Sequence, residues 1–241
     1  MKKYRLDLAY DGKDFSGSQI QPGKRTVQGE VLQHLSKICY PDSFTFSGRT
    51  DSGVHARQQV ASFSATIDDL ETKAHSLESM TPDDITIKKI KRVPMNFNAR
   101  YSAKLRVYKY FVKIISNSHP TDRGNHWIIK EDLNLNNLNE LSKNFIGNND
   151  YTNYAKKDST RKTDLVISDA KWIKRNNTYI FTIEGRAFLW QMVRNIVGSL
   201  IAVNSGLLTE EDLLKRLNDT SLPRVNHLAP PEGLYLWRVK Y

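Results

Sequence analysis

The sequence predicts an α+β protein made of two halves that share one order of elements. Two patterns recur along the chain: short runs in which apolar and polar residues alternate, as in strands, and longer runs with apolar residues at helical spacing. Their order is β-α-β-β-α-β in residues 1–102 and again, with one extra helix, in residues 103–241. This is the ferredoxin-like arrangement. We therefore predict two ferredoxin-like halves forming a mixed, mainly antiparallel sheet, with helices on one face and a central cleft.

The first half opens with a strand in which Tyr4, Leu6, Leu8 and Tyr10 alternate with polar or small residues. Apolar residues then recur at helical spacing from Val27 to Ile38. The elements predicted for this half are a strand over 4–10, a helix over 27–38, strands near 44–49 and 58–66, a helix near 69–79 and a strand over 84–90.

The second half opens with a run rich in aromatic and β-branched residues, which is typical of a strand. Asn134 and Thr209 stand where helix N-caps are expected, and Gly147 is expected to stop the helix that Asn134 opens. The elements predicted here are a strand over 105–115, a helix over 135–145, strands near 165–173 and 178–185 joined by a turn at 175–177, a helix over 188–203, a short helix after 209 and a strand over 234–241.

The charge balance points to a polyanionic partner. The 241 residues include 36 Lys and Arg against 26 Asp and Glu, which gives a formal net charge of +10. An excess of this size favours nucleic acid as the ligand, although a generally basic surface also aids solubility.

Other features bear on location and metal binding. No apolar run reaches the roughly 18 residues of a membrane span, and the first residues alternate in polarity rather than forming a signal-peptide core, so we expect a cytoplasmic protein. The one cysteine, Cys39, excludes an intrachain disulfide and is expected to be buried. The six histidines form no His-x-x-x-His pair, and no metal site is expected.

One loop, Ser47–Ala56, concentrates the groups that could carry chemistry. Arg49, Asp51 and His55 supply a cation, a carboxylate and a titratable ring, and glycines beside them permit tight turns. Such a loop can hold a nucleophilic carboxylate. It can equally be an ordinary turn with a surface ion pair.

Two further stretches combine aromatic and basic residues. Phe97–Tyr101 lies at the junction of the halves, and Tyr108 and Tyr110 share one face of the strand that follows. A position in the core is expected for Tyr110 more than for Tyr108. Arg194 lies within an apolar helix, where an arginine must either extend to solvent or meet an acid.

Taken together, these stretches resemble the TruA-type family of tRNA pseudouridine synthases, over nearly the whole chain. The motifs that carry the resemblance are Gly48–Ala56, Phe97–Ala103, Tyr108–Tyr110, Met192–Gly198 and Gly233–Leu236. The resemblance implies isomerisation of uridine to pseudouridine at positions 38, 39 and 40 in the tRNA anticodon stem-loop, without cofactor or metal. It also implies a homodimer.

The resemblance further implies a role for individual residues. Asp51 matches the family's nucleophile, Tyr108 its base-stacking tyrosine and Arg194 the arginine that pairs with the aspartate. Arg49 matches the arginine implicated in flipping the uridine out of the stem. Contacts with the RNA are expected for His55, Phe97, Asn98, Ala99, Arg100, Tyr101 and, more loosely, Arg161.

This chain departs from the family in its first loop, where Gly17-Ser18-Gln19 stands in place of Gly-Trp-Gln. Two other function classes compete with an isomerase. A non-catalytic RNA-binding protein would not need Asp51, Tyr108 and Arg194, which are all present. A glycoside hydrolase would usually need paired carboxylates, whereas the loop offers only Asp51.

Overall fold

The computed structural model describes residues 1–157 and 162–241. They divide into two compact units: Met1–Lys104 together with Tyr235–Tyr241, and Leu105–Leu234. Strands in both units pair mostly antiparallel, with a parallel pair in each, which confirms the predicted α+β class and the mixed, mainly antiparallel pairing. Among the described residues, no helix combines the length and apolar character needed to cross a bilayer.

The first unit contains the predicted β-α-β-β-α-β order. Its elements are β1 (Lys2–Tyr10), α1 (Val27–Leu35), β2 (Asp42–Phe46), β3 (His55–Ala65), α2 (Ala74–Met80) and β4 (Ile85–Val93). The strands lie in the order β4, β1, β3, β2, and each neighbouring pair is antiparallel. The predicted alternation of β1 is confirmed, since Tyr4, Leu6 and Leu8 are fully buried. The intervening residues Arg5 and Asp7 form an ion pair with each other.

The second unit contains two short strands beyond the predicted order. Its elements are β5 (Leu105–Ile114), β6 (Trp127–Ile129), α3 (Leu135–Lys143), β7 (Gly147–Asp150), β8 (Asp164–Arg175), β9 (Thr178–Gly185), α4 (Met192–Asn204) and α5 (Glu210–Asn218). The strands lie in the order β6, β5, β9, β8, β7, and only β5 and β6 are parallel. The short strands β6 and β7 flank α3, where the sequence predicted none.

The last strand, β10 (Leu234–Lys240), belongs with the first unit except for its first residue. Tyr235 and Leu236 pair in parallel with His55 and Ala56 at the start of β3. β2 pairs with the other end of β3. The pairing with β10 explains why β3 begins at His55, whereas the sequence predicted a start near residue 58.

Three helices differ in length from the prediction. α4 begins at Met192 rather than Phe188, because Gln191 has a φ of 63°, in the left-handed region that a right-handed helix excludes. α1 ends at Leu35, and α3 ends at Lys143, before Gly147. Asn134 and Thr209 are the N-caps of α3 and α5, as predicted, and Cys39 is buried, as predicted.

Candidate active site

In the loop between β2 and β3, the position of Asp51 is fixed by hydrogen bonds of the preceding residue, Thr50. Thr50 is buried, and its backbone N–H donates to the Ser18 hydroxyl at 2.9 Å. The Ser18 N–H donates in turn to the Thr50 carbonyl at 3.1 Å. The hydroxyls of Thr50 and Tyr10 lie 2.8 Å apart. Asp51 itself is half-buried, and its carbonyl accepts from the Val54 N–H at 3.2 Å.

A fully buried glutamine fixes the loop on the other side of Arg49. The Gln59 side-chain amide donates to the Gly48 carbonyl at 2.9 Å, and its oxygen accepts from the Ser47 hydroxyl at 2.6 Å. The same oxygen accepts from the Val60 N–H at 3.1 Å. Arg49, between these two anchored ends, is exposed. The loop therefore presents Arg49 to solvent from a backbone that is hydrogen-bonded on both sides.

His55 has structural contacts at the start of β3. Its ring is buried and stacks on Tyr235 with centroids 4.5 Å apart. Its Nδ1 accepts from the Gly12 N–H at 3.0 Å. Asp11 Oδ1 also lies 3.0 Å from Nδ1, a contact that becomes an ion pair only when the imidazole is protonated. The imidazole thus ties the strand start to the turn after β1.

Within Phe97–Tyr101, two side chains face solvent. The Asn98 side-chain oxygen accepts from the N–H groups of Arg100 and Tyr101, at 2.9 and 3.1 Å, and closes a tight turn. Arg100 and Tyr101 are exposed, Tyr101 at 73%, and the guanidinium lies 5.4 Å from the tyrosine ring centroid. The turn therefore places this cation and this ring side by side at the surface.

The rest of that stretch anchors the turn. Ala99 is fully buried; its N–H donates to the Ser62 hydroxyl at 2.9 Å, and its carbonyl accepts from the Tyr241 hydroxyl at 2.8 Å. Phe97 packs against the same tyrosine, with ring centroids 5.0 Å apart. Ala99 and Phe97 therefore hold the turn in place under Arg100.

In the second unit, Tyr108 and Tyr110 lie on β5. Tyr108 is buried and meets Phe188 edge to face, with centroids 4.9 Å apart. Tyr110 is fully buried and donates to the Pro230 carbonyl at 2.7 Å, and burial raises the pKa of its phenol well above the usual value. The expectation that Tyr110 is a core residue is confirmed.

Arg194 lies on α4 and does not extend into solvent, since it is only 8% exposed. Its Nε donates to the Ala229 carbonyl at 2.7 Å, and the Ala229 N–H donates to the Arg194 carbonyl at 3.1 Å. The same segment approaches α4 closely at Gly198, where an added Cβ would lie 1.8 Å from the His227 carbonyl oxygen. These contacts fix the guanidinium on the helix.

Comparison with known proteins identifies the family. A family profile described as tRNA pseudouridine synthase matches residues 141–241. A protein from Borrelia hermsii named tRNA pseudouridine synthase A is 38% identical over the whole of both chains. Proteins of the same name from Thermosipho melanesiensis and Chlorobium limicola are 37% and 36% identical, again over the whole of both chains. The chain belongs to the tRNA pseudouridine synthase family.

Arg161 lies outside the described residues. Close to it in sequence, the Lys156 ammonium lies 3.9 Å from the ring centroid of Trp190, which is half exposed. Over the described parts of the chain, no group of three or more His, Cys, Asp or Glu side chains could hold a metal ion.

Sequence reasoning missed the side chains that hold the loop of this synthase family member. The sequence pattern places Tyr10 and Gln59 in strands and Ser47 in the loop, and Ser18 stands out only as a departure from the family. One signal was present: Gln59 begins a stretch of β3 made mainly of apolar and small residues. A polar residue in such a stretch indicates a buried hydrogen-bonded group.

Proposed function

We propose that this protein isomerises uridine to pseudouridine at positions 38, 39 and 40 in the anticodon stem-loop of tRNA. The observation that carries the proposal is the 36–38% identity, over the whole chain, to relatives named tRNA pseudouridine synthase A. The net charge of +10 supports a polyanionic substrate.

Asp51 is the proposed nucleophile. Cleavage of the glycosidic bond needs an ionised carboxylate held in a fixed position near C1′ or C6 of the uridine. The half-buried position of Asp51, next to a residue bonded to both Ser18 and Tyr10, supports this role. The proposal covers attack at either carbon, as well as assistance to elimination.

Tyr108 and Arg194 have the remaining chemical roles that the family resemblance implies. Tyr108 is proposed to stack against the uracil while the base turns to present C5 to C1′, so that the detached base stays bound. Arg194 is proposed to favour the ionised form of the catalytic carboxylate, because a nearby cation lowers the pKa of an acid. The Nε bond to Ala229 supports this role by fixing the guanidinium plane.

The remaining residues are proposed to bind the RNA. A base in a paired stem must leave the stack, at a cost of a few kcal/mol, and the exposed Arg49 is proposed to fill the vacated space. Arg100 and Tyr101 are proposed to contact phosphate and base directly, on a turn held by Phe97, Asn98 and Ala99. His55 is proposed to support the RNA-binding surface by holding the start of β3. Arg161 is proposed as a further phosphate contact.

Two further features belong to the proposal. The protein acts as a homodimer, as the family resemblance implies, and works in the cytoplasm.

The experiment that tests this function is site mapping. Unmodified tRNA transcripts with uridine at position 38, 39 or 40 are incubated with the protein and treated with a carbodiimide that marks pseudouridine, and the marks are located by primer extension. Marks at these three positions, and none where cytidine replaces the uridine, are expected. Tight tRNA binding without marks would instead favour a non-catalytic RNA-binding protein.

A further inference from the structure

Ser18 makes hydrogen bonds on three sides although it is fully buried. Its hydroxyl accepts from the Thr50 N–H at 2.9 Å, and its own N–H donates to the Thr50 carbonyl at 3.1 Å. Both peptide groups of Thr50 are therefore held by one residue. The second of these peptides carries the nitrogen of Asp51.

The other side of Ser18 is attached to a helix. The Ser18 carbonyl accepts from the Gln28 N–H at 3.0 Å, in the first turn of α1, and the neighbouring Gly17 carbonyl accepts from the Val27 N–H at 3.3 Å. These bonds satisfy N–H groups that have no partner within a helix. The chain of contacts thus runs from α1 through Ser18 to Thr50.

The backbone around Ser18 is shaped for close approach to the loop. Gly17 has a φ of +96°, and an added Cβ would lie 2.9 Å from the Thr50 carbonyl oxygen. This conformation and this spacing both require glycine. Because the two backbones lie this close, the short side chain of Ser18 reaches the Thr50 N–H with its hydroxyl.

We propose that Ser18 is a positioning residue for the Asp51 carboxylate, and that it acts by fixing the Thr50 peptide groups relative to α1. The inference rests on the proposed function, since it concerns the direction in which the nucleophile points. Reacting groups displaced by about 1 Å can lose about 100-fold in rate. Loss of the Ser18 hydroxyl should therefore slow turnover and leave tRNA affinity unchanged.

The test is the Ser18→Ala variant, compared with Ser142→Ala. Ser142 is an equally buried serine on α3 whose hydroxyl donates to the Leu138 carbonyl at 2.6 Å, and neither residue has a proposed role in catalysis or RNA binding. Release of tritium from tRNA labelled at C5 of uridine gives kcat and KM, and filter binding gives the tRNA Kd. Thermal unfolding confirms that each variant is folded at the assay temperature.

We expect Ser18→Ala to lower kcat at least tenfold with the tRNA Kd within twofold, and Ser142→Ala to keep kcat within twofold. A wild-type kcat in folded Ser18→Ala would overturn the inference, and so would an equal loss of kcat in both variants. If Ser18→Ala does not fold, Ser18→Cys replaces it, because a thiol keeps the volume and is a weak acceptor. An inactive wild type would overturn the proposed function itself, which separates the two failures.

Discussion

The phenol of Tyr10, at the end of β1, lies 2.8 Å from the hydroxyl of Thr50, the residue before Asp51. The Gln59 amide also reaches this phenol, at 3.4 Å. The strand that starts the chain is therefore bonded directly to the candidate catalytic loop. Burial raises the pKa of Tyr10 to about 12, because the phenolate would lose its hydration.

This pKa predicts a loss of stability in alkali. Between pH 10 and 12 an unfolded Tyr10 releases its proton while the folded one keeps it, so the free energy of unfolding falls as pH rises and is unaffected by this group below about pH 9. From pH 8 to pH 11 the loss from Tyr10 is about 1.4 kcal/mol. Urea unfolding of wild type and Tyr10→Phe at both pH values measures it. An equal fall in both proteins would contradict the assignment.

Gln59→Leu should destabilise the first unit strongly. Leucine has a volume similar to that of glutamine but cannot form hydrogen bonds. The substitution therefore removes the bonds that Gln59 makes with the Gly48 carbonyl and the Ser47 hydroxyl. Buried groups stripped of a partner cost about 1–3 kcal/mol each, so we expect a loss of about 2–4 kcal/mol in urea unfolding. Gln58→Leu is the control, since the Gln58 side chain is partly exposed and accepts from the Val239 N–H at the longer distance of 3.4 Å. Equal losses in the two variants would refute the role given to Gln59.

Gly198→Ala should destabilise the second unit, because the new Cβ would meet the His227 carbonyl 1.8 Å away. Overpacking against backbone costs about 3 kcal/mol. Ser199→Ala is the control on the same helix: its buried hydroxyl has no hydrogen-bond partner among the described residues, so its removal should be neutral. Unfolding midpoints in urea compare the two. A neutral Gly198→Ala would show that the segment carrying Ala229 moves freely against α4.

Arg49→Ala should turn over folded tRNA slowly. If Arg49 fills the place of the flipped base in the stem, the variant should regain its turnover rate on a substrate in which the target uridine is already unpaired. Arg123→Ala removes another exposed arginine and serves as the control for charge. The rate ratio between paired and unpaired substrates is the measurement. A ratio equal to that of the wild type would remove Arg49 from the flipping step.

The sequence predicted the elements whose local pattern decides their structure. β1 alternates without interruption, and α3 and α5 begin at polar residues that accept from the first turn, so each could be placed from nearby residues alone. β7 has the sequence Gly-Asn-Asn-Asp, without apolar alternation, and exists because it pairs with β8. The start of α4 depends on the left-handed Gln191, a conformation no spacing rule predicts.

At the candidate site, too, only the features that depend on neighbouring residues could be predicted. The loop carrying Asp51 could be predicted because its charged residues and glycines are neighbours in sequence. The side chains that hold it could not, since Ser18 lies 32 residues from Thr50 and Tyr10 lies 40 residues away. Their contacts depend on β1, α1 and β3 being packed together. Periodicity identifies each of those elements but not the hydroxyl that faces the loop.

The most direct test of the central claim is tritium release from tRNA carrying uridine labelled at C5, with wild type and Asp51→Asn in parallel. Formation of the new bond at C5 expels that hydrogen. We predict release by the wild type and none by Asp51→Asn, with tRNA affinity within a few-fold. Release by Asp51→Asn at the wild-type rate would contradict the assignment of the nucleophile. No release by either protein, with tRNA still bound, would contradict the activity itself.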